Sequence, residues 1–104
     1  MFEAKRHGAG SVALASATLA AVHLRSTIKI CQQIGSHELE GRAHKRLGLI
    51  AQDRGDLSAA HDHLETAFAV LTAAGEHRRA ERALVRLRNV RRELQAARLT
   101  EDRA

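Results

Sequence analysis

The sequence predicts an all-α fold in which antiparallel helical hairpins stack in series as a short α-solenoid with four main helices. The chain resembles itself at an offset of 40 residues, since Gly35 recurs as Gly75 and His37 as His77. A fixed period of this size is typical of stacked repeat proteins. The chain contains no proline, and the strong helix formers Ala, Leu and Arg dominate it. No segment shows the alternation of apolar and polar residues that is typical of strands.

Four segments carry apolar residues at the i, i+3, i+4, i+7 spacing that places side chains along one side of a helix. We expect the helices to cover about residues 12–34, 37–53, 57–74 and 77–98. The apolar stripes are, in order, Ala20, Leu24, Thr27, Ile28 and Cys31; Leu39, Ala43, Leu47 and Ile50; Leu57, Ala60, Leu64, Ala67, Phe68 and Leu71; and Ala80, Leu84, Leu87, Val90 and Leu94. Residues 2–8 are expected to begin a short fifth helix that Gly8 and Gly10 weaken, and residues 99–104 are expected to fray.

The helix boundaries are marked by residues that favour turns. Gly35 and Gly75 follow apolar-periodic segments, where a glycine in the left-handed conformation commonly ends a helix. Ser36 can cap the next helix, and residues 53–56 (Asp-Arg-Gly-Asp) predict a tight turn that ends on Asp56 as an N-cap. Small residues inside the helices predict close helix packing, with larger neighbours filling the gaps. The small residues are Ala43, Gly48, Ala60 and Ala67, and the larger ones are Leu47, Leu64 and Phe68.

A distinctive set of residues runs from the second predicted helix into the third: Leu47-Gly48-Leu49-Ile50-Ala51, Gly55-Asp56, Ala59-Ala60, Leu64 and Ala67. This set resembles a tetratricopeptide repeat (TPR), in which a Leu-Gly pair, a turn and recurring small residues follow one another. The 40-residue period is longer than the ~34 residues of the standard repeat. It resembles the extended variety found in regulatory arms of large bacterial transcription and signalling proteins. The resemblance implies a single domain over 1–104, with a degenerate first repeat (1–34), a full repeat (35–74) and a half repeat (75–98).

The chain departs from the family pattern at several positions. Thr72 stands at about the place of the helix-ending proline, and His44 and Ala51 hold positions that are bulky and aromatic in the family. Arg88 replaces Gly48 in the third repeat, which bears on how tightly that repeat can pack against a following helix.

In the TPR family the first helix of each repeat lines the ligand groove, so the resemblance implies which residues face a partner. These are Arg42, Lys45, Leu49, Gln52 and Asp53 in the second repeat, and Arg82, Val85, Asn89, Arg92 and Glu93 in the third. The implied groove is mostly basic, which would suit an acidic peptide or a C-terminal carboxylate. The resemblance therefore implies a non-catalytic protein-interaction module.

The fourth helix is expected to lack a partner helix within the chain. Its apolar stripe of Leu84, Leu87, Val90 and Leu94 would then need cover from elsewhere. We predict self-association into a homo-oligomer through the terminal helices. The alternative is that the chain is a piece of a longer solenoid.

The net charge of +5 arises mainly in the last helix. Its arginines are Arg78, Arg79, Arg82, Arg86, Arg88, Arg91, Arg92 and Arg98. They could grip acidic peptide or phosphate, they could bind nucleic acid, or they could simply form a solvated helix face. The nucleic-acid alternative is the less favoured one, because aromatic residues make up 2% of the chain and no helix-turn-helix signature is present.

No constellation for chemistry stands out, so we expect no catalytic site, no cofactor and no metal. His61 and His63 flank Asp62, but helical residues two apart point in different directions. Cys31 is the one cysteine, expected to be a buried thiol in a reducing, cytoplasmic setting. Residues 11–22 follow Lys5-Arg6 and faintly resemble a signal peptide, but the repeat register continues through them. No apolar run reaches the ~18 residues that a membrane span needs.

Overall fold

The computed structural model describes the backbone of residues 2–103 and the side chains of residues 15–103. It contains four helices, α1 (Phe2–Ile34), α2 (His37–Asp53), α3 (Leu57–Ala73) and α4 (His77–Arg103). No strand occurs between residues 2 and 103. Each helix packs against the next along the chain, and α2 also touches α4 across α3. The predicted all-α fold of stacked antiparallel hairpins is confirmed.

The three connections between helices share one construction. Each contains a glycine at positive φ, and the next residue donates its backbone N–H to the carbonyl five positions back. The glycines are Gly35 (φ 73°), Gly55 (φ 79°) and Gly75 (φ 77°), and the bonds join Ser36 to Cys31, Asp56 to Ala51 and Glu76 to Leu71, each at 2.9 Å. An L-residue with a side chain rarely adopts this φ, so glycine is what allows connections of two or three residues. The prediction that Gly35 and Gly75 end helices is confirmed.

The N-terminal caps differ between α2 and α3. Asp56 caps α3, because its Oδ1 accepts a bond of 3.1 Å from the N–H of Ala59. Ser36 occupies the same position before α2, but its side chain makes no capping bond, so this part of the prediction is wrong. Glu38 and Glu40 lie in the first turn of α2 instead, where the helix dipole favours negative charge.

Two outer helix boundaries were predicted wrongly. There is no separate fifth helix over residues 2–8, because α1 runs unbroken from Phe2 through Gly8 and Gly10. Residues 99–103 do not fray but continue α4, while residue 104 lies outside the described residues. Both segments lack proline, and the helix continues through Gly10-Ser11 although this pair has the same order of residues as Gly35-Ser36 at the end of α1.

The core is centred on α3, which lies between α2 and α4. The fully buried large side chains are Leu64, Leu71, Leu87 and Val90. A second apolar cluster joins α1 to α2 through Ala21, Ile28, Ala43 and Leu47. The molecule is flat, with dimensions of 48 × 35 × 20 Å, so that most helices keep one exposed side.

Helix α2 approaches α3 closely at two glycines. A Cβ built on Gly48 would lie 2.7 Å from Cγ of Leu64, and one built on Gly41 would lie 2.6 Å from Cγ of Leu71. Both distances are far below carbon–carbon van der Waals contact. The prediction that Gly48 permits close packing is confirmed. Gly41 lies two helical turns earlier on the same face of α2 and permits the same close approach to Leu71.

The apolar stripe of α4 has its cover within the chain, so the expectation that it lacks a partner is wrong. Leu87 and Val90 are buried with Leu64 of α3, and Leu84 and Leu94 pack against the same cluster. The reason is that α3 alone covers the stripe. It is therefore not a free surface for self-association.

The opposite side of α4 carries charged residues around the exposed Val85. Glu81 and Arg88 stand 40 residues after Gly41 and Gly48, and both are exposed. Helix α3 packs closely on α2 because these positions of α2 are glycines. The long side chains of Glu81 and Arg88 would keep a further helix from packing as closely on α4. The α4 surface thus differs from the α2 surface that packs on α3.

Replacing Gly48 with alanine should lower the free energy of unfolding by about 1 kcal/mol. The added methyl group overpacks the Leu64 contact, which typically costs about 1–3 kcal/mol, and the better helix propensity of alanine offsets roughly 1 kcal/mol of that. Urea denaturation followed by circular dichroism measures the change.

The matched control is Arg88→Ala, at the equivalent position of α4, where no helix packs. This variant should unfold at the same urea concentration as the parent or a higher one. A Gly48→Ala protein more stable than the parent would contradict the close approach of α2 to α3.

Candidate functional site

Helices α2 and α4 border an open cavity of about 220 Å³ whose walls are basic. Its cationic side chains are Arg42, Lys45, Arg46, Arg79 and Arg82. Leu49 of α2 and Leu71 of α3 add apolar surface. The cavity thus combines a cluster of cations with a small hydrophobic area.

The helical repeat places these side chains together. Arg42, Lys45, Arg46 and Leu49 follow one another at i, i+3, i+4 and i+7, so they share one face of α2. Arg82 is the equivalent of Arg42 one 40-residue period later. Because α2 and α4 lie side by side across α3, equivalent positions of the two helices face the same cavity.

Positive charge in the cavity is only partly balanced. The Glu38 carboxylate lies 3.7 Å from both Arg42 and Arg79, and Glu76 lies 3.9 Å from Arg79. Lys45 and Arg82 form no ion pair with any residue in the range 15–103. The carboxylates therefore neutralise one end of the cavity and leave the remainder cationic.

The excess positive charge affects the protonation of the Lys45 ammonium group. Its pKa lies below the usual lysine value, first because burial penalises the charged form and then because Arg82, Arg86 and Arg79 repel it. An anion placed in the cavity would remove the repulsion. The electrostatics of the site therefore favour a negatively charged ligand.

The structure brings together part of the predicted groove. Arg42, Lys45, Leu49 and Arg82 line the cavity, although their role in binding stays a prediction. Gln52 lies beyond it, where its Nε2 donates a bond of 2.7 Å to Oε1 of Glu93 and ties α2 to α4.

The remaining groove residues lie outside the cavity, namely Asp53, Val85, Asn89 and Arg92. Val85 and Arg92 are exposed, and Asn89 is half-buried. Sequence reasoning missed Arg46, Arg79 and Leu71. Arg46 could have been found from its spacing of four residues after Arg42 on the same helix face.

A pair of histidines joins α2 to α3 on another side of the molecule. Nδ1 of His44 lies 3.3 Å from Nδ1 of His63, so one ring donates and the other accepts. The pKa of His44 is lowered by burial and by the charge of His63, against a weaker opposite effect of Glu40. The pKa of His63 is lowered by burial and by Arg25 of α1, against opposite effects of Asp62 and Asp56.

Other groups that could carry chemistry are scattered. In the part of the chain that the structure describes, no three His, Cys, Asp or Glu side chains are grouped so as to hold a metal ion. Cys31 is a buried free thiol. His61 contacts Arg91 and Glu65 rather than His63. Among the described residues, no helix is both long enough and apolar enough to span a bilayer.

Comparisons with known proteins support the fold. No protein-family model matches the chain, and no curated protein matches it. Among solved structures, the solution NMR structure of Designed Protein DA05 is similar to it, with a TM-score of 0.70 and 22% sequence identity. The match covers 73% of this chain and 76% of that chain. At this identity the likeness concerns the fold alone, and it supports the helical-hairpin architecture.

The histidine pair should make stability depend on pH near neutrality. Both pKa values are lower in the folded chain than the ordinary histidine value of 6.5, so the folded state binds fewer protons than the unfolded state. This contribution to stability is complete above the unfolded pKa and is lost as the pH falls through the folded values. The thermal midpoint should therefore drop between about pH 7.5 and about pH 5.5, a window that lies above the titration of most carboxyl groups.

Replacing His44 with leucine, the residue at the equivalent position 84, should flatten this dependence. The exposed His77→Gln variant is the control and should keep the slope of the parent. An unchanged slope in His44→Leu, measured by differential scanning calorimetry at both pH values, would exclude the histidine pair as the source.

Proposed function

We propose that this chain is a TPR-like, non-catalytic interaction module that binds an acidic peptide segment at the basic cavity between α2 and α4. The observation that carries the proposal is the convergence of five cationic side chains from two neighbouring helices on one cavity. Carboxylates balance that charge only beside Arg42 and Arg79.

The cavity suits a carboxylate for a geometric reason as well. Guanidinium groups bind carboxylates through two parallel hydrogen bonds, which fixes both position and orientation. Leu49 and Leu71 can cover the aliphatic part of an adjacent side chain. A peptide that ends in a carboxylate next to an apolar residue, or that alternates acidic and apolar residues, fits both features.

The setting of the module belongs to the same proposal. The 40-residue recurrence and the glycine turns support a TPR-like arrangement of the extended type, as in regulatory arms of bacterial transcription and signalling proteins. The buried free thiol of Cys31 supports a reducing compartment, which is the cytoplasm in this proposal.

Binding of nucleic acid through α4 is the alternative that the test must separate. Arg79 and Arg91 of this helix are engaged with carboxylates of α2, of α3 and of the connection before α4, so its arginines do not form one free cationic face. This arrangement favours the peptide over a duplex.

A fluorescein-labelled peptide of alternating glutamate and leucine should bind the intact protein, as measured by fluorescence anisotropy. Replacing Arg82 with glutamine should weaken binding roughly tenfold, which corresponds to about 1.4 kcal/mol and is typical of one charged hydrogen-bonding partner. Arg98→Gln, on the same helix away from the cavity, is the matched control and should leave the affinity unchanged.

The same peptide with glutamine in place of glutamate, and a labelled DNA duplex, complete the experiment. Equal binding of both peptides would refute the electrostatic basis of the proposal. Tighter binding of the duplex, with an affinity that falls steeply as salt is raised, would favour the nucleic-acid alternative.

A further inference from the structure

Helix α1 presents an exposed apolar face at the end of the stack opposite α4. Leu19, Val22, Ile30 and Ile34 are exposed by 71%, 55%, 56% and 68%. Four large apolar side chains in contact with water on one helix are unusual in a protein of this size. They border the groove between α1 and α2 but do not line it.

An open cavity of about 280 Å³ lies beside this face, between α1 and α2. Its apolar lining residues are Ala20 and Leu24 of α1 and Leu49 and Ile50 of α2. The exposed Leu39 of α2 borders the adjoining part of the groove.

The protein itself contains a template for what would fill this groove. With the 40-residue offset, α1 and α2 correspond to α3 and α4. Helix α2 packs on both α3 and α4, whereas none of the helices between residues 2 and 103 packs on α1 and α2 in the equivalent way. The groove is thus the place that an additional helix, packed as α2 is packed, would occupy.

The template also defines the shape of the occupant. Gly48 of α2 approaches Leu64 and the carbonyl of Ala60, whose equivalents on α1 are Leu24 and Ala20. Gly41, seven residues earlier on α2, approaches Leu71 in the same way. A docked helix therefore needs two small residues seven positions apart.

The charge of the groove indicates which charge a docked helix should carry. Residues 15–34 of α1 include no acidic residue, Arg46 of α2 lines the cavity, and Arg42 lines the adjoining part of the groove. In the template, Lys45 follows Gly41 by four residues and is repelled by Arg82 and Arg86. Their equivalents beside the groove are Arg42 and Arg46, so a carboxylate at the position of Lys45 would be attracted to both.

We propose that the groove between α1 and α2 binds an amphipathic α-helix of a partner protein, which completes the stack. That helix carries glycine or alanine at two positions seven apart and an acidic residue four positions after the first of them. The groove shares Arg46 and Leu49 with the proposed peptide cavity, but this proposal does not depend on peptide binding there.

A second copy of this chain fits the groove less well. The helix of a second copy that matches α2 is α4, and α4 has Val85 rather than a carboxylate at the position of Lys45. Helix α4 carries Glu81 and Arg88 where small residues are needed. A partner with an acidic helix satisfies both requirements.

The probe is a labelled, end-capped peptide with the sequence of residues 37–53 in which Lys45→Glu is introduced. We expect it to bind the intact protein with one peptide per chain, as measured by fluorescence anisotropy and calorimetry. The unaltered peptide with lysine, and a peptide that carries both Lys45→Glu and Gly48→Leu, should each bind at least tenfold more weakly. Equal affinities for the three peptides would overturn the proposal.

Variants of the protein locate the site. Two face variants change exposed residues that line the groove. Ala20→Gln should weaken binding at least tenfold, and Leu39→Gln serves as the second variant. Ala69→Gln, on the exposed side of α3, is the matched control and should bind as the parent does. Circular dichroism and thermal melting verify that each variant is folded.

Three results would overturn the proposal. The first is unchanged affinity in both folded face variants. The second is loss of binding in Arg82→Gln with no loss in Ala20→Gln, which would place the peptide in the cavity between α2 and α4. The third is a dimer of the parent, seen by analytical ultracentrifugation, that Ala20→Gln dissociates, because a second copy would then be the occupant.

Discussion

The close approach of α2 to α3 determines where the other helices of this protein can lie. It rests on Gly41 and Gly48, which let the α2 backbone pack directly on Leu71 and Leu64. A side chain at either glycine would push α2 outward and away from α4. The cavity that Lys45 and the neighbouring arginines line exists because α2 and α4 are held beside each other across α3.

The two ends of the stack differ in chemistry. At the α4 end, charged side chains replace the packing glycines, and the apolar stripe of the helix is already buried against α3. At the α1 end, Leu19 and Ile30 are exposed beside basic residues. The two ends of the stack therefore present different surfaces, although the sequence repeats.

Local rules predicted the parts of the fold that are local. Gly35 and Gly75 were predictable because a positive φ is nearly restricted to glycine, and Asp56 because its carboxylate can reach the first free N–H groups of α3. The ends of α1 and α4 were not, since no residue there stops a helix. The burial of the apolar stripe around Leu87 against α3 depends on tertiary packing, which the local sequence does not reveal. The presence of Arg46 and Arg79 in the basic cavity depends on tertiary packing for the same reason.

The contact between Gly48 and Leu64 can be observed directly by NMR. In a methyl-labelled sample, the Hα protons of Gly48 should show strong nuclear Overhauser effects to the methyl groups of Leu64, and those of Gly41 should show them to the methyl groups of Leu71. Absence of these cross-peaks in a fully helical protein would mean that α2 does not pack on α3 through its glycines, and the positions of both the basic cavity and the α1 groove would then be wrong.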